Sequence, residues 1–305
     1  MKNRFEPLVQ PSRRSILSGG LAASLTFGVG PFSQISSAAN GTFDPSDPVS
    51  VLRNLHRMRG SEEGLIAMGW LKGQRYGVVD AEIIPLMGMV TGTFARHKIL
   101  ADGSIELTSF ELAFYTDLET GKVLDTLQIP YTGKTVEVPR LMLGPNKSTI
   151  RPVFHELTET GGEAERTDSE TAMRPMGSIR FERWLGPVTV KSGNVWITEA
   201  SSAKVIPADP TADKVIYSES VTYKGDYEDV TNPDLPTISS TLSYTGITSW
   251  RPWMQMGDLP GHTTSHALGS KAFDVEGLPD DYREMAEQYY PEALADPQAV
   301  LDKLG

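Results

Sequence analysis

The stretch from Ser104 to Arg140 constrains this chain more than any other. It alternates apolar and polar residues and is twice interrupted by a Gly-Lys pair. Phe110, Leu112 and Phe114 fall on one face of an extended segment, and Glu111, Ala113 and Tyr115 fall on the other. A two-residue period of this kind is the signature of a β-strand. Gly121-Lys122 and Gly133-Lys134 stand where the chain must reverse, and glycine takes the required positive φ at no steric cost. The pattern predicts a β-meander inside a larger antiparallel sheet. Its first strand changes parity, since Ile105 and Leu107 are odd while Phe110 to Phe114 are even, so a bulge is expected near Thr108-Ser109.

The remaining strands follow from the same pattern. Leu65–Leu71, Tyr76–Val79 after a turn at Gly73, Ile83–Met89, Thr91–Leu100 and Thr149–Leu157 read as extended. So do Ser178–Trp184 and Val188–Thr198, joined through Gly186-Pro187, and then Ala203–Pro207, Val215–Lys224 and Ser239–Ser249. Leu141–Ser148 reads as a loop, and the polar stretch 158–174 as a surface excursion. Helices are expected only at the ends. Asp47 can cap a helix whose first residue is Pro48, with Val49, Leu52, Leu55 and Met58 on one stripe up to Arg59. His56 and its neighbouring arginines then fall on a solvated face. Asp280–Tyr290 and Gln298–Leu304 make a C-terminal helical segment within 279–304. About ten short strands with terminal helices predict an all-β, mainly antiparallel domain, built as a barrel or a strongly curved sheet.

The 305-residue chain opens with a segment of another kind. Ser12-Arg13-Arg14-Ser15-Ile16-Leu17 precedes a mildly apolar run, and Ser37-Ala38-Ala39 supplies small residues for cleavage. This order is that of a twin-arginine signal peptide cleaved near Ala39. The expectation is export to the periplasm or medium, the export machinery as a partner, and one mature domain from residue 40 to 305. Loss of Lys2, Arg4, Arg13, Arg14 and Glu6 takes the net charge from −11 to −14. An acidic chain without a basic patch argues against nucleic acid as a partner, and no run is long enough for stable membrane insertion. With no cysteine, disulfides, thiolate nucleophiles and cysteine metal sites are excluded.

If the sheet encloses a space, its polar faces carry the chemistry. Glu111 and Tyr115 share a face, as do Arg180 and Glu182. These four are the candidate catalytic groups: a carboxylate base, an arginine to stabilise an anion and a phenolic donor. Trp250, Arg251, Trp253 and Met256 form the densest aromatic cluster and are candidate ligand contacts, with Arg251 able to stack or to hold an anion. His97 and His155 are further candidate contacts on separate strands. His262 and His266 are four apart but not on a helix, so no metal site is expected, and no nucleotide or cofactor motif is present. These features point to a cofactor-free lyase, isomerase or hydrolase acting on a small, largely apolar or aromatic molecule. A non-catalytic binding protein of the same shape and a structural envelope protein are the alternatives.

Several of these residues also carry a resemblance. Glu111 with Tyr115-Thr116-Asp117-Leu118-Glu119-Thr120-Gly121, then Pro130-Tyr131-Thr132-Gly133-Lys134, Trp250-Arg251-Pro252-Trp253, Met256-Gly257 and Leu278-Pro279 resemble the family known as domain of unknown function 1838. Ile129 stands before Pro130 where the family's pattern more often has Asn. The resemblance implies a β-rich fold and a twin-arginine leader. It implies no reaction and assigns no catalytic residues.

Overall fold

The computed structural model describes residues 43–160, 176–207 and 215–304. The expected twin-arginine segment and cleavage site, and residues 161–174 of the polar stretch, lie outside the described residues. In chain order the elements are α1 (Pro48–Arg59), β1 (Ala67–Val79), β2 (Glu82–Ile99), β3 (Ile105–Thr116), β4 (Thr126–Gln128), β5 (Thr135–Glu137) and β6 (Leu141–Ile150). They continue with β7 (His155–Thr160), β8 (Met176–Lys191), β9 (Asn194–Pro207), β10 (Val215–Asp226), α2 (Tyr227–Thr231), β11 (Ser240–Thr248) and β12 (His262–Ala272). Three short helices end the chain: α3 (Asp280–Tyr289), α4 (Pro291–Ala295) and α5 (Pro297–Leu301).

Ten strands form one antiparallel sheet in the order β6-β3-β2-β1-β12-β11-β10-β9-β8-β7. Its edges, β6 and β7, are consecutive in the chain and joined only by residues 151–154. Nine interstrand spacings would separate them by about 43 Å in a flat sheet. Five Cα steps reach at most about 18 Å. The sheet therefore curls until its edges nearly meet. It does not close: β6 and β7 are not paired, and the linker runs against β8, where Leu185 N donates to Phe154 O at 2.9 Å and Arg183 Nη2 donates to Arg151 O at 2.6 Å. The curl needs glycine at the β1–β12 pair. A Cβ on Gly269 would lie 1.8 Å from the Trp70 carbonyl oxygen, and one on Gly73 would lie 1.9 Å from that of His266.

Each face of the curl is covered differently. Behind β1–β3, helices α3–α5 bury Phe94, Phe110, Leu112, Phe114 and Tyr282. Phe94 and Phe110 stack at 4.7 Å, and each contributes on the order of 2–3 kcal/mol by leaving water. On the concave side, α1 plugs one end, packing Val51, Leu52, Leu55 and Met58 against Val195, Ile197 and Leu242. The β4–β5 hairpin and residues 250–256 plug the other end, with Ile129, Val136 and Met254 against Met87, Ala113 and Tyr115.

Several expectations are corrected. The Ser104–Arg140 stretch gives one strand, β3, to the main sheet, and the rest forms the separate two-stranded hairpin. Leu141–Ser148 is not a loop but edge strand β6, where Pro145 is tolerated because one side of an edge strand needs no donor. Gly73 lies inside a continuous β1, and Gly186-Pro187 lies inside β8, where the register shifts between Leu185 and Val188. The reversal comes instead at Ser192-Gly193, both with positive φ. The bulge falls between Ser109 and Glu111 against β6, while the pairing of β3 with β2 is unbroken. The parity change has another cause: both faces of β3 are buried, Ile105 under α1 and Phe110 under the C-terminal helices.

Helix α1 has the expected bounds, with Asp47 accepting from Val49 N and Ser50 N. Its polar side is not solvated, however: His56 is 0% exposed and Arg57 2%. The helix sits within the curl, so the 226–236 segment folds over its far side. Arg57 donates to the carbonyls of Leu235, Val230, Asp229 and Asn232 and to Asn54 Oδ1.

Candidate functional site

Between the two plugs the concave face lines about 200 Å³ of partly open space. Odd-numbered residues of β1, β2, β3, β10 and β12 and even-numbered residues of β11 turn towards it, as strand alternation requires. Leu71, Val221, Leu242 and Met58 supply apolar wall; Thr93, Glu111, Glu219 and Tyr244 supply polar groups. Glu111 and Glu219 stand on strands five positions apart, about 24 Å in a flat sheet. The curl brings them across one small cavity.

Glu111 is directly opposite Thr93 in the β2–β3 ladder, and Thr93 Oγ1 donates to its Oε2 at 3.4 Å. Burial pushes its carboxyl up from 4.5 to about 7, and the charge of Glu219 pushes the same way. Thr93, Arg251 and Arg75 oppose the shift more weakly. Glu219 is raised too, first by burial, but it is better held. Ser201 Oγ donates to its Oε1 at 3.1 Å, and the Tyr217 hydroxyl contacts its Oε2 closely. The Tyr217 and Tyr244 hydroxyls are 3.2 Å apart. Burial, then Glu219, raises Tyr244 to about 12. Its ring lies back over Gly246, where a Cβ would stand 2.3 Å from the Tyr244 oxygen.

The end of the cavity nearest α1 is cationic, but its charges are engaged. Arg59 Nη1 donates to Glu199 Oε2 at 3.0 Å, and Arg183 approaches Oε1 of the same carboxylate at 3.4 Å. Lys271 Nζ donates to Arg57 O, Gly60 O and Thr237 Oγ1 at 2.6–2.9 Å, tying β12 to the C-terminus of α1. Burial, then Arg57, draws Lys271 down to about 7. A larger open groove of about 520 Å³ runs past Glu62, Arg96, Lys98, Glu106 and Lys147. Its charges are largely matched in pairs such as Lys147–Glu106 at 3.1 Å and Arg53–Glu62 at 2.6 Å.

The residues singled out from the sequence divide into three groups. Glu111 faces the cavity. Tyr115 shares its face but is 3% exposed and sealed in: Arg75 Nη1 donates to its hydroxyl at 3.0 Å and Trp253 packs at 5.7 Å. Trp250, Arg251, Trp253 and Met256 belong to the plug beyond it. Trp250 Nε1 donates to Leu259 O, Met256 is buried, and Arg251 acts on Glu111 through its charge. His97 borders both the cavity and the groove; its Nδ1 is 2.7 Å from His56 Nδ1, and burial holds both rings below their ordinary value, His56 at about 4.

The third group lies elsewhere. Arg180 pairs with Glu159 at 3.7 Å in solvent, and Glu182 holds His155 at 2.8 Å, with the histidine stacked on exposed Trp184. On β8 it is Arg183 that is buried, so Arg180 and Glu182 are not brought to Glu111. Glu219, Tyr217 and Tyr244 were not singled out from the sequence. The signal for Tyr217 and Glu219 was the alternation Tyr217, Glu219, Val221, Tyr223 along β10, and for Tyr244 the alternation Leu242, Tyr244 along β11.

The profile of the DUF1838 family, described as a protein of unknown function, matches residues 66–163 and 212–304. The match covers most of the chain, and the chain belongs to this family. Thr93, Glu111, Glu219 and Tyr244 lie in the matched segments; Arg180, Glu182, Glu199 and Ser201 lie between them. No curated protein matches the chain.

Proposed function

We propose that the cavity binds a small, largely apolar or aromatic molecule and that Glu111 moves a proton on it. The observation that carries this reading is Glu111 itself. It is a carboxyl held by one long hydrogen bond in a small cavity with apolar walls, and it is half-ionised near neutral pH. Such a group can take a proton from one atom of a bound molecule and return it to a neighbour. The reaction class is isomerisation or elimination, with no cofactor needed for the transfer. Size supports a one-ring occupant, since a cavity of about 150 Å³ already accepts benzene. The N-terminal Arg13-Arg14 pattern, apolar run and Ala38-Ala39 support export by the twin-arginine route as part of the same reading.

The test begins with native mass spectrometry of the exported protein. The molecule that co-purifies is then incubated with wild type and with Glu111→Gln in deuterated water. Transformation of that molecule, or its uptake of deuterium, by wild type only is the expected result. Equal binding by both proteins with neither exchange nor turnover would leave a binding protein instead.

A further inference from the structure

We infer that the group held beside Glu111 and Tyr244 is a primary amine carried on a ring of about benzene size. This rests on the reading of the cavity as a binding site, and it follows from the direction of the hydrogen bonds around it. Glu219 takes one hydroxyl on each carboxylate oxygen, Ser201 on Oε1 and Tyr217 on Oε2. Burial and Glu219 keep the Tyr217 phenol protonated, so Tyr217 is the donor in that pair. The Tyr217 proton is thereby spent, and its oxygen can only accept. The neighbour that can give it a proton is the Tyr244 hydroxyl at 3.2 Å. Tyr244 therefore donates away from the cavity and turns a lone pair towards it.

The same accounting applies on the opposite wall. Thr93 gives its proton to Glu111 Oε2, which leaves a lone pair on Thr93 and the whole of Glu111 Oε1 for an occupant. The cations at the α1 end do not reverse this balance. Lys271 Nζ is turned to three acceptors, and Arg59 is turned to Glu199. Thr93, Tyr244 and the ionised Glu111 carboxylate thus turn acceptors to the space, while Ser109 and Tyr223 on the same walls keep their hydroxyl protons; the charge lies on the acceptor side, and buried acceptors need donors. An ammonium offers three N–H groups and matches a carboxylate charge. A carboxylate ligand would be repelled by the ionised form of Glu111 and could pair only with its protonated form.

Three ring-sized probes decide the matter by calorimetry: benzylamine, benzyl alcohol and benzoate. Benzylamine is expected to bind wild type at least about tenfold more tightly than benzoate, with benzyl alcohol between them. Glu111→Gln should weaken benzylamine by at least about tenfold and change benzyl alcohol by less than about threefold, because the amide keeps the shape and loses the charge. A thermal melt of the variant checks that it is folded. If benzoate binds as tightly as benzylamine, or if Glu111→Gln leaves benzylamine unaffected, the amine inference is overturned while the cavity remains a binding site. If none of the three probes binds wild type, the inference and the cavity reading fall together.

Discussion

Glu111→Gln should make the protein more stable, and only above mildly acidic pH. The cavity displaces the carboxyl from 4.5 to about 7. An acid whose folded value is raised costs nothing while it is protonated in both states. The folded state loses stability as pH rises from the unfolded value towards the folded one, and the loss is complete above it. The displacement corresponds to about 3 kcal/mol. Glutamine has the shape of the protonated acid and can still accept from Thr93, so it should escape that cost. For a domain of this size the gain is roughly 6–12 °C in melting temperature. Melts of wild type and variant from pH 4.5 to 9 would show coincident curves at the acid end, separating through pH 5–7 and reaching a plateau above it. A variant equally or less stable at pH 8, or a difference independent of pH, would refute the reasoning. Glu111 would then be solvated and the cavity would not be perturbing it.

Three further outcomes follow from the fold. Arg57→Met removes the guanidinium donor of four backbone carbonyls and of Asn54, of which Asp229 O keeps only Asn232 N, and should cost on the order of 3 kcal/mol or more, read from urea denaturation. Gly269→Ala puts a methyl group against the Trp70 carbonyl in the β1–β12 pair; it should cost about 4 kcal/mol or more and leave little folded protein on expression. His56 and His97 should show ring proton resonances that do not move between pH 8 and 5.5, because burial keeps both neutral. Their stabilising effect is full above about 6.5 and is lost as pH falls towards about 4, so this pair contributes to the acid limb of the stability curve.

Much of this is legible in the residues, and the rest is hidden for particular reasons. Helix α1 announces itself through Asp47, Pro48 and its apolar stripe, and β3 through its alternation. Glu111 stands out because it interrupts the face opposite Phe110 and Phe114. What local pattern cannot tell is which face turns inward once a sheet curls. On β8, Phe181 and Trp184 put aromatic residues on opposite faces, so alternation alone does not tell that Arg183, rather than Arg180 and Glu182, turns inward. His56 and Arg57 looked solvated because their cover comes from residues 226–236, far along the chain. Glu219 meets Glu111 only through five strand pairings, and its hydroxyl partners come from β9 and β10. The cavity is a product of curvature, and the curvature rests on glycines at the β1–β12 pair and on a four-residue link between the sheet edges.

The central claim is that this curvature places the Glu111 carboxyl in the protein interior, facing Glu219 across one small cavity. Carbon-13 resonance of glutamate side-chain carboxyls, with Glu111 assigned by its absence in Glu111→Gln, reads that directly. A titration midpoint for Glu111 near 7 is the predicted result. A midpoint near 4.5, the value of a carboxyl in water, would contradict it.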